Sequence, residues 1–187
     1  MPVVELHPIE GYSTDEKRRL GEALTGAVRF VLPAQHEGIV IMMHEMKSDG
    51  YYRGGGTKTP APALPDPSAL VQEFLARVQA RDLDRAQTML AEDFKMQLPG
   101  APAMSKLAEL VAWAKPRYRF VEKSYEGIEA LQTAGPESVV FARGKLSGEW
   151  PDGTPFSGIR FIDRFEVVEG KLTRQDVWND LAEVRAR

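Results

Sequence analysis

Cysteine is absent from all 187 residues, which removes disulfides, thiolate nucleophiles and Cys-ligated metals together. Histidine is scarce: His7, His36 and His44, and none after them. Their spacing matches no metal-ligand pattern, so no metal and no cofactor is expected. His7 and His44 fall on neighbouring predicted strands and can approach each other, as surface or packing residues. Basic excess is missing too, with 24 Lys and Arg against 27 Asp and Glu. Nothing is available to neutralise a phosphate backbone, which excludes nucleic acid as a partner. No apolar run approaches the ~20 residues of a membrane span. The opening MPVVEL lacks the basic and apolar regions of a signal peptide. The expectation is a soluble, cytoplasmic protein that acts on a small molecule.

Proline is plentiful in one place. GGGTKTPAPALPDP, residues 54–67, places prolines at 60, 62, 65 and 67. Such a stretch continues neither a helix nor a central strand, and its proline half reads as an extended spacer. Two domains follow, 1–56 and 67–187, with a linker at 57–66.

The first domain reads strand–helix–strand. Val4 and Leu6 point to one face of residues 3–9, and Val3, Glu5 and His7 to the other. Ser13 with Glu16 forms a capping box, followed by Leu20, Ala23, Leu24, Ala27, Val28 and Val31 at helical spacing up to Pro33. GIVIMMHEM reads as a strand buried on both faces. About 55 residues bury little on their own, so this βαβ unit needs copies of itself or the second domain to cover its sheet.

The second domain opens with helices. Asp66 caps a helix with Pro67 in its first turn, and Leu70, Val71, Phe74, Leu75 and Val78 form the stripe. A short helix runs near 83–90. FKMQL alternates as a strand with Phe94, Met96 and Leu98 inward. Ser105 opens a third helix, through Trp113. Strands then run near 117–130, 138–149, 155–168 and 171–180, divided by AGPE, PDG and EG turns. Helices followed by a long meander predict helices on one face of a curved antiparallel sheet.

PVVELHPIEGYSTDEKRRL together with IVIMMHEMKSDGYYRGG resembles the 4-oxalocrotonate tautomerase family. The shared features are the proline after Met1, the EG turn before a capped helix, HEM closing the second strand, and an aromatic followed by a glycine pair. The resemblance implies a βαβ fold, a homo-oligomer (trimer or hexamer), and Pro2 as catalytic base after loss of Met1. A neutral amine in a nearly dry pocket takes a proton beside a carbonyl and returns it elsewhere, which is keto–enol isomerisation of a small 2-oxo acid or enol. Kept protonated, the same nitrogen serves a hydratase or dehalogenase. Family members carry arginines where this chain has Tyr12 and Val40, while Tyr51 matches the aromatic that keeps the pocket dry. The residues left to bind substrate are Tyr12, Tyr51, Tyr52 and Arg53, and a monocarboxylate or a larger aromatic enol fits better than a dicarboxylate.

FARGKLSGEWPDGTPFSGIRFIDRFEVVEGKLTRQDVWND resembles the SnoaL-like branch of the nuclear-transport-factor-2 superfamily, a cone-shaped α+β fold. That scaffold serves enzymes and plain binding modules alike. The position where ketosteroid isomerases of this fold carry an acid is occupied by QLPG, and no histidine is available for a His–Asp pair. Asp93, Asp163, Asp176 and Asp180 remain, with Tyr118, Tyr125, Trp113 and Trp178. Strand alternation puts Asp176 and Trp178 on one face, which makes Trp113, Tyr118, Asp176 and Trp178 the pocket candidates. Either an acid sits beside an aromatic inside the cone as a raised-pKa base, or it pairs with Arg160, Arg164 or Arg174. Two functions remain open: an enzyme built on Pro2, or a ligand-binding cone on an idle oligomerisation platform.

Overall fold

The computed structural model describes residues 1–185, which divide into two compact units, the first Met1–Ala63 and the second beginning at Leu64. Among the described residues no helix is long and apolar enough to cross a membrane.

The first unit is a βαβ element. Strand β1 (Val3–Leu6) pairs in parallel with β2 (Val40–Met43), from Val3 beside Val40 to Leu6 beside Met43. Helix α1 (Thr14–Val31) connects them. The capping box forms in both directions: the Glu16 N–H donates to Ser13 Oγ at 3.2 Å, and the Ser13 N–H to Glu16 Oε2 at 2.7 Å. Two residues bring the chain from the end of α1 to Pro33. The covered seam of α1 is Gly21, Leu24, Thr25 and Val28, with Thr25 buried and the rest half-buried; Leu24 and Val28 of the expected stripe lie in it, and Leu20, Ala23, Ala27 and Val31 are exposed. Gly21 lies against Met43, which a larger side chain at 21 would displace. The expectation that β2 is buried on both faces fails in the single chain. One helix covers one face of a two-stranded sheet, so Val4, Leu6, Ile41 and Met43 are half-buried while Val3 and Met42 stay exposed. Strands β3 (Tyr52–Arg53) and β4 (Gly56–Thr57) form a tight hairpin. Its turn residues Gly54 and Gly55 both have positive φ, +63° and +80°, as a type I′ turn requires.

The second unit holds the large core. Asp66 caps α2 (Pro67–Gln79) by accepting from the Ser68 and Ala69 N–H groups, with Pro67 at its first position. Helix α3 (Leu83–Thr88) is shorter than predicted because Leu90 already starts strand β5 (Leu90–Gln97). Helix α4 (Leu107–Ala114) begins two residues after Ser105, and its cap is Glu109, whose carboxylate accepts from the Ser105 and Lys106 N–H groups. Strands β6 (Phe120–Gln132), β7 (Ser138–Glu149), β8 (Pro155–Val168) and β9 (Lys171–Asn179) form an antiparallel meander. β5 joins its open side, parallel to β9, so the order is β5-β9-β8-β7-β6. The short helix α5 (Leu181–Arg185) follows.

Val71, Phe74 and Leu75 of α2 pack on Phe94, Val140, Phe165 and Leu172 of the sheet, with Phe74 edge-on to Phe165 at 6.0 Å. The sheet needs glycine where β6 closes on β7: a Cβ on Gly144 would stand 1.9 Å from the Ser124 carbonyl oxygen. All three tryptophans lie in this unit, so their fluorescence reports its unfolding alone. Gly144→Ala is expected to lower its stability by about 3 kcal/mol, because backbone and not a flexible side chain must move. Urea denaturation followed by tryptophan emission measures this, and an unchanged midpoint would refute the close approach.

Candidate functional site

Pro2 stands at the head of β1, and its carbonyl accepts the Val40 N–H at 3.0 Å. Val40 is therefore a direct neighbour of Pro2. The ladder continues past the strands, through Met46 N–H on the Pro8 carbonyl at 2.8 Å and a parallel bridge between Ile9 and Met46. At about 3.3 Å per residue, Pro2 and Ile9 lie roughly 20 Å apart. Tyr12 follows at that far end, half-buried after Gly11, whose φ of +131° turns the chain. Tyr51 belongs to the same end, because the Ser48 N–H three residues earlier donates to Glu10 Oε1 at 3.2 Å. Tyr51 is half-buried, whereas Tyr52 and Arg53 are exposed on the hairpin. Tyr12 and Tyr51 thus follow the far end of the ladder, and Pro2 stands at its other end. His7 and His44 do meet, stacked at 5.2 Å. Among the described residues no cluster of ligating side chains is suited to a metal.

The second unit holds a partly open cavity of about 650 Å³ between α2, α4 and the sheet. Trp113 and Tyr118 line it, together with Lys123, Tyr125 and Phe161, and Arg81, Lys115 and Arg119 also contribute. Asp176 and Trp178 share a face, but it is the outer one. A strict alternation from Leu172 would turn residues 174, 176 and 178 inward. The register shifts between Glu166 and Val167, opposite Arg174 and Leu172, and the inward set becomes Leu172, Gln175, Val177 and Asn179. Asp176 instead pairs outside with Arg174 at 2.7 Å and Arg164 at 3.6 Å. Trp178 is 51% exposed. The idea of Asp176 as a base inside the cone is therefore corrected, and cross-strand pairing accounts for it. Asp180 likewise pairs with Arg160 at 2.7 Å, and Asp93 is exposed.

The acid on the inner side is Asp163, with no accessible surface. Its Oδ2 accepts from Lys123 Nζ and, at 3.3 Å, from Gln175 Nε2. Lys123 Nζ also lies 4.6 Å from the centroid of the Phe161 ring. Tyr125 packs edge-on to Phe161 at 5.8 Å. Burial, and then the Asp163 charge, push the Tyr125 hydroxyl's pKa well above its ordinary value, so it stays a neutral donor. Lys123 and Gln175 escaped the sequence reading. The signal for Lys123 is phase, since it shares a face with Val121 and Tyr125, whereas the register shift in β9 leaves Gln175 without one.

Comparison with known proteins matches this division. The family described as "SnoaL-like domain" matches residues 71–175, and that described as "Tautomerase enzyme" matches residues 2–59. Over 55 residues the chain is 38% identical to the 2-hydroxymuconate tautomerase of Bacillus subtilis, covering 29% of this chain and 89% of that protein. It is 36% identical over 55 residues to a probable tautomerase of Bacillus cereus, 29% of this chain and 90% of the relative. An NTF2-like protein of Burkholderia thailandensis superposes with a TM-score of 0.54 at 17% identity, over 66% of this chain and 97% of that one. TerC, crystallised with polyporic acid, superposes at 0.53 and 17% identity, over 65% of this chain and 97% of its own. At such identities these two likenesses speak for fold alone. The chain is a fusion whose residues 71–175 belong to the SnoaL-like family and whose residues 2–59 belong to the tautomerase family.

The buried pair makes a stability prediction. Lys123→Met leaves the Asp163 carboxylate without its cation and is expected to cost about 3 kcal/mol. Lys123→Met combined with Asp163→Leu removes both charges and should regain at least half of that. Urea curves read by tryptophan emission decide; a double variant no more stable than the single one would refute the pairing.

Proposed function

We propose that the N-terminal unit is a tautomerase that uses the Pro2 amine, freed by removal of Met1, to isomerise a small 2-oxo acid or its enol. The observation that carries this reading is the 38% identity to a 2-hydroxymuconate tautomerase over nearly all of that protein's length. In the neutral amine form, the Pro2 nitrogen accepts the enol hydroxyl proton. It then delivers a proton to the carbon at the far end of the conjugated system, and the hydroxyl becomes the ketone. Anchoring of Pro2 through its carbonyl to the Val40 N–H holds the ring at the strand head and fixes its lone-pair direction.

With Tyr12 and Val40 in place of two cations, the site favours a monocarboxylate or an aromatic enol over a dicarboxylate. Arg53 is the remaining cation, and Tyr12 and Tyr51 supply a hydrogen-bond donor and an apolar wall. Because these residues stand roughly 20 Å from their own Pro2 along the ladder, a complete site takes them from another copy. The uncovered apolar residues Val3, Phe30, Val31, Leu32 and Met42 support self-association, as a trimer or hexamer.

The test is ultraviolet-monitored ketonisation of phenylenolpyruvate and 2-hydroxymuconate by untagged protein whose intact mass shows Met1 to be gone. Pro2→Ala, also processed, is expected to lose ~10² or more in rate. Phenylenolpyruvate is expected to be the better substrate. Equal rates in the two proteins, or none in either, would refute the role of Pro2 in tautomerisation.

A further inference from the structure

His7 and His44 take no part in the chemistry at Pro2, yet they meet. Both are exposed, and their rings stack at 5.2 Å with 20° between the planes. The backbone sets this contact. The His44 N–H donates to the Leu6 carbonyl at 2.8 Å, one step past the last rung of the parallel pair, Leu6 beside Met43. Side chains alternate along a strand, so His7 follows Val3 and Glu5, and His44 follows Val40 and Met42. All six lie on the face that α1 leaves uncovered. Its rungs are Val3 with Val40, Glu5 with Met42, and then the two imidazoles. Val3 and Met42 are exposed apolar residues on it.

Few charges surround the pair. Glu5 stands one rung back on the same face. Glu45, next to His44 in sequence, turns to the helix side, where Lys17 Nζ holds it at 3.0 Å. Glu10 lies beyond His7 and accepts the Ser48 N–H at 3.2 Å. A second copy lying on this face would strip water from both rings. Neutral imidazoles tolerate that. Two imidazoliums do not, because each loses its hydration and the like charges stay as close as the stack places them, with Glu5 to offset one at most. In a separated copy water solvates both rings, and the exposed side chains are free to swing apart. Protons therefore bind more readily to separated copies than to the assembly, and by linkage acid drives dissociation. Histidine is the side chain whose charge ordinarily changes between pH 5 and 8.

We propose that the His7–His44 pair is a pH switch on self-association: copies that cover the outer face of β1 and β2 stay together while the pair is neutral and separate once it is protonated. This rests on the reading that the first unit assembles through its uncovered sheet. The sign is opposite to that of the whole-protein charge. The chain carries −3 at pH 7, so mild acidification moves it towards neutrality and by itself favours association. A loss of assembly over that interval has to come from a local group.

The experiment is sedimentation velocity of the full chain across a dilution series, at pH 8 and pH 6 in equal salt. The protein is untagged, because a histidine tag titrates in the same interval. Mass is read instead of activity, because protonation of the Pro2 amine lowers a tautomerase rate whatever the assembly does. The concentration at half-assembly is expected to rise about tenfold or more from pH 8 to pH 6, reversibly. The double variant His7→Gln, His44→Gln keeps neutral polar side chains and is expected to assemble equally at both pH values. A wild type whose half-assembly is the same at both overturns the switch and leaves self-association standing. A double variant that retains the wild-type pH dependence does the same. A double variant that is monomeric at both pH values also overturns it, since the rings would then be a contact that assembly requires. A wild type that is monomeric throughout overturns the self-association reading, and the switch with it.

Discussion

Side chains on β8 alternate, and β8 is the central strand of the five. Most of the second unit depends on that period. Ile159, Phe161, Asp163, Phe165 and Val167 turn to one side and are all buried, and Arg160, Arg164 and Glu166 turn to the other. The inward set supplies Phe165 for the helix α2 to pack on and Phe161 for the cavity wall. It also carries one carboxylate into a hydrocarbon environment. A charge there is tolerable only with a partner, and two strands provide one each, Lys123 from β6 and Gln175 from β9. The same constraint that builds the core thus fixes the polar floor of the cavity.

The two units meet the problem of covering a sheet differently. In the second, helices close one face of five strands, and a cavity remains between them. In the first, a single helix closes one face of two strands and leaves Val3, Val40 and Met42 on the other. Pro2 begins the strand on that thinly covered sheet, far from the tyrosines with which the family resemblance associates it. The proposed chemistry at Pro2 therefore requires those residues to be supplied from another copy. The cavity of the second unit is lined by residues of one chain.

Local chemistry was readable wherever neighbours in sequence decide the outcome. Ser13 with Glu16, and Asp66 before Pro67, announce helix starts because capping is a matter of three or four residues. The PDG and EG turns and the long strands they separate are visible for the same reason. Both families are legible from motifs, MPVVEL to YYRGG in one case and DRFEV to VWND in the other. The stripe of α1 is met at Leu24 and Val28 but not at Leu20, Ala23 and Ala27, because apolarity favours those three over Gly21 and Thr25, which packing places in the seam instead.

The sequence by itself determined two domains, their fold classes, the strands of the meander and the candidacy of Pro2, all of which rest on local propensity, periodicity and motif. The tertiary structure alone decided which carboxylate faces inward. A single bulge on β9, set by pairing with β8, turns Asp176 and Trp178 outward and Gln175 inward, since adding one residue to a period of two exchanges the faces. It also decided that Asp163, 40 positions from Lys123 in sequence, would be its partner. No local rule encodes that contact, because it exists only where β6, β7 and β8 bend around one cavity.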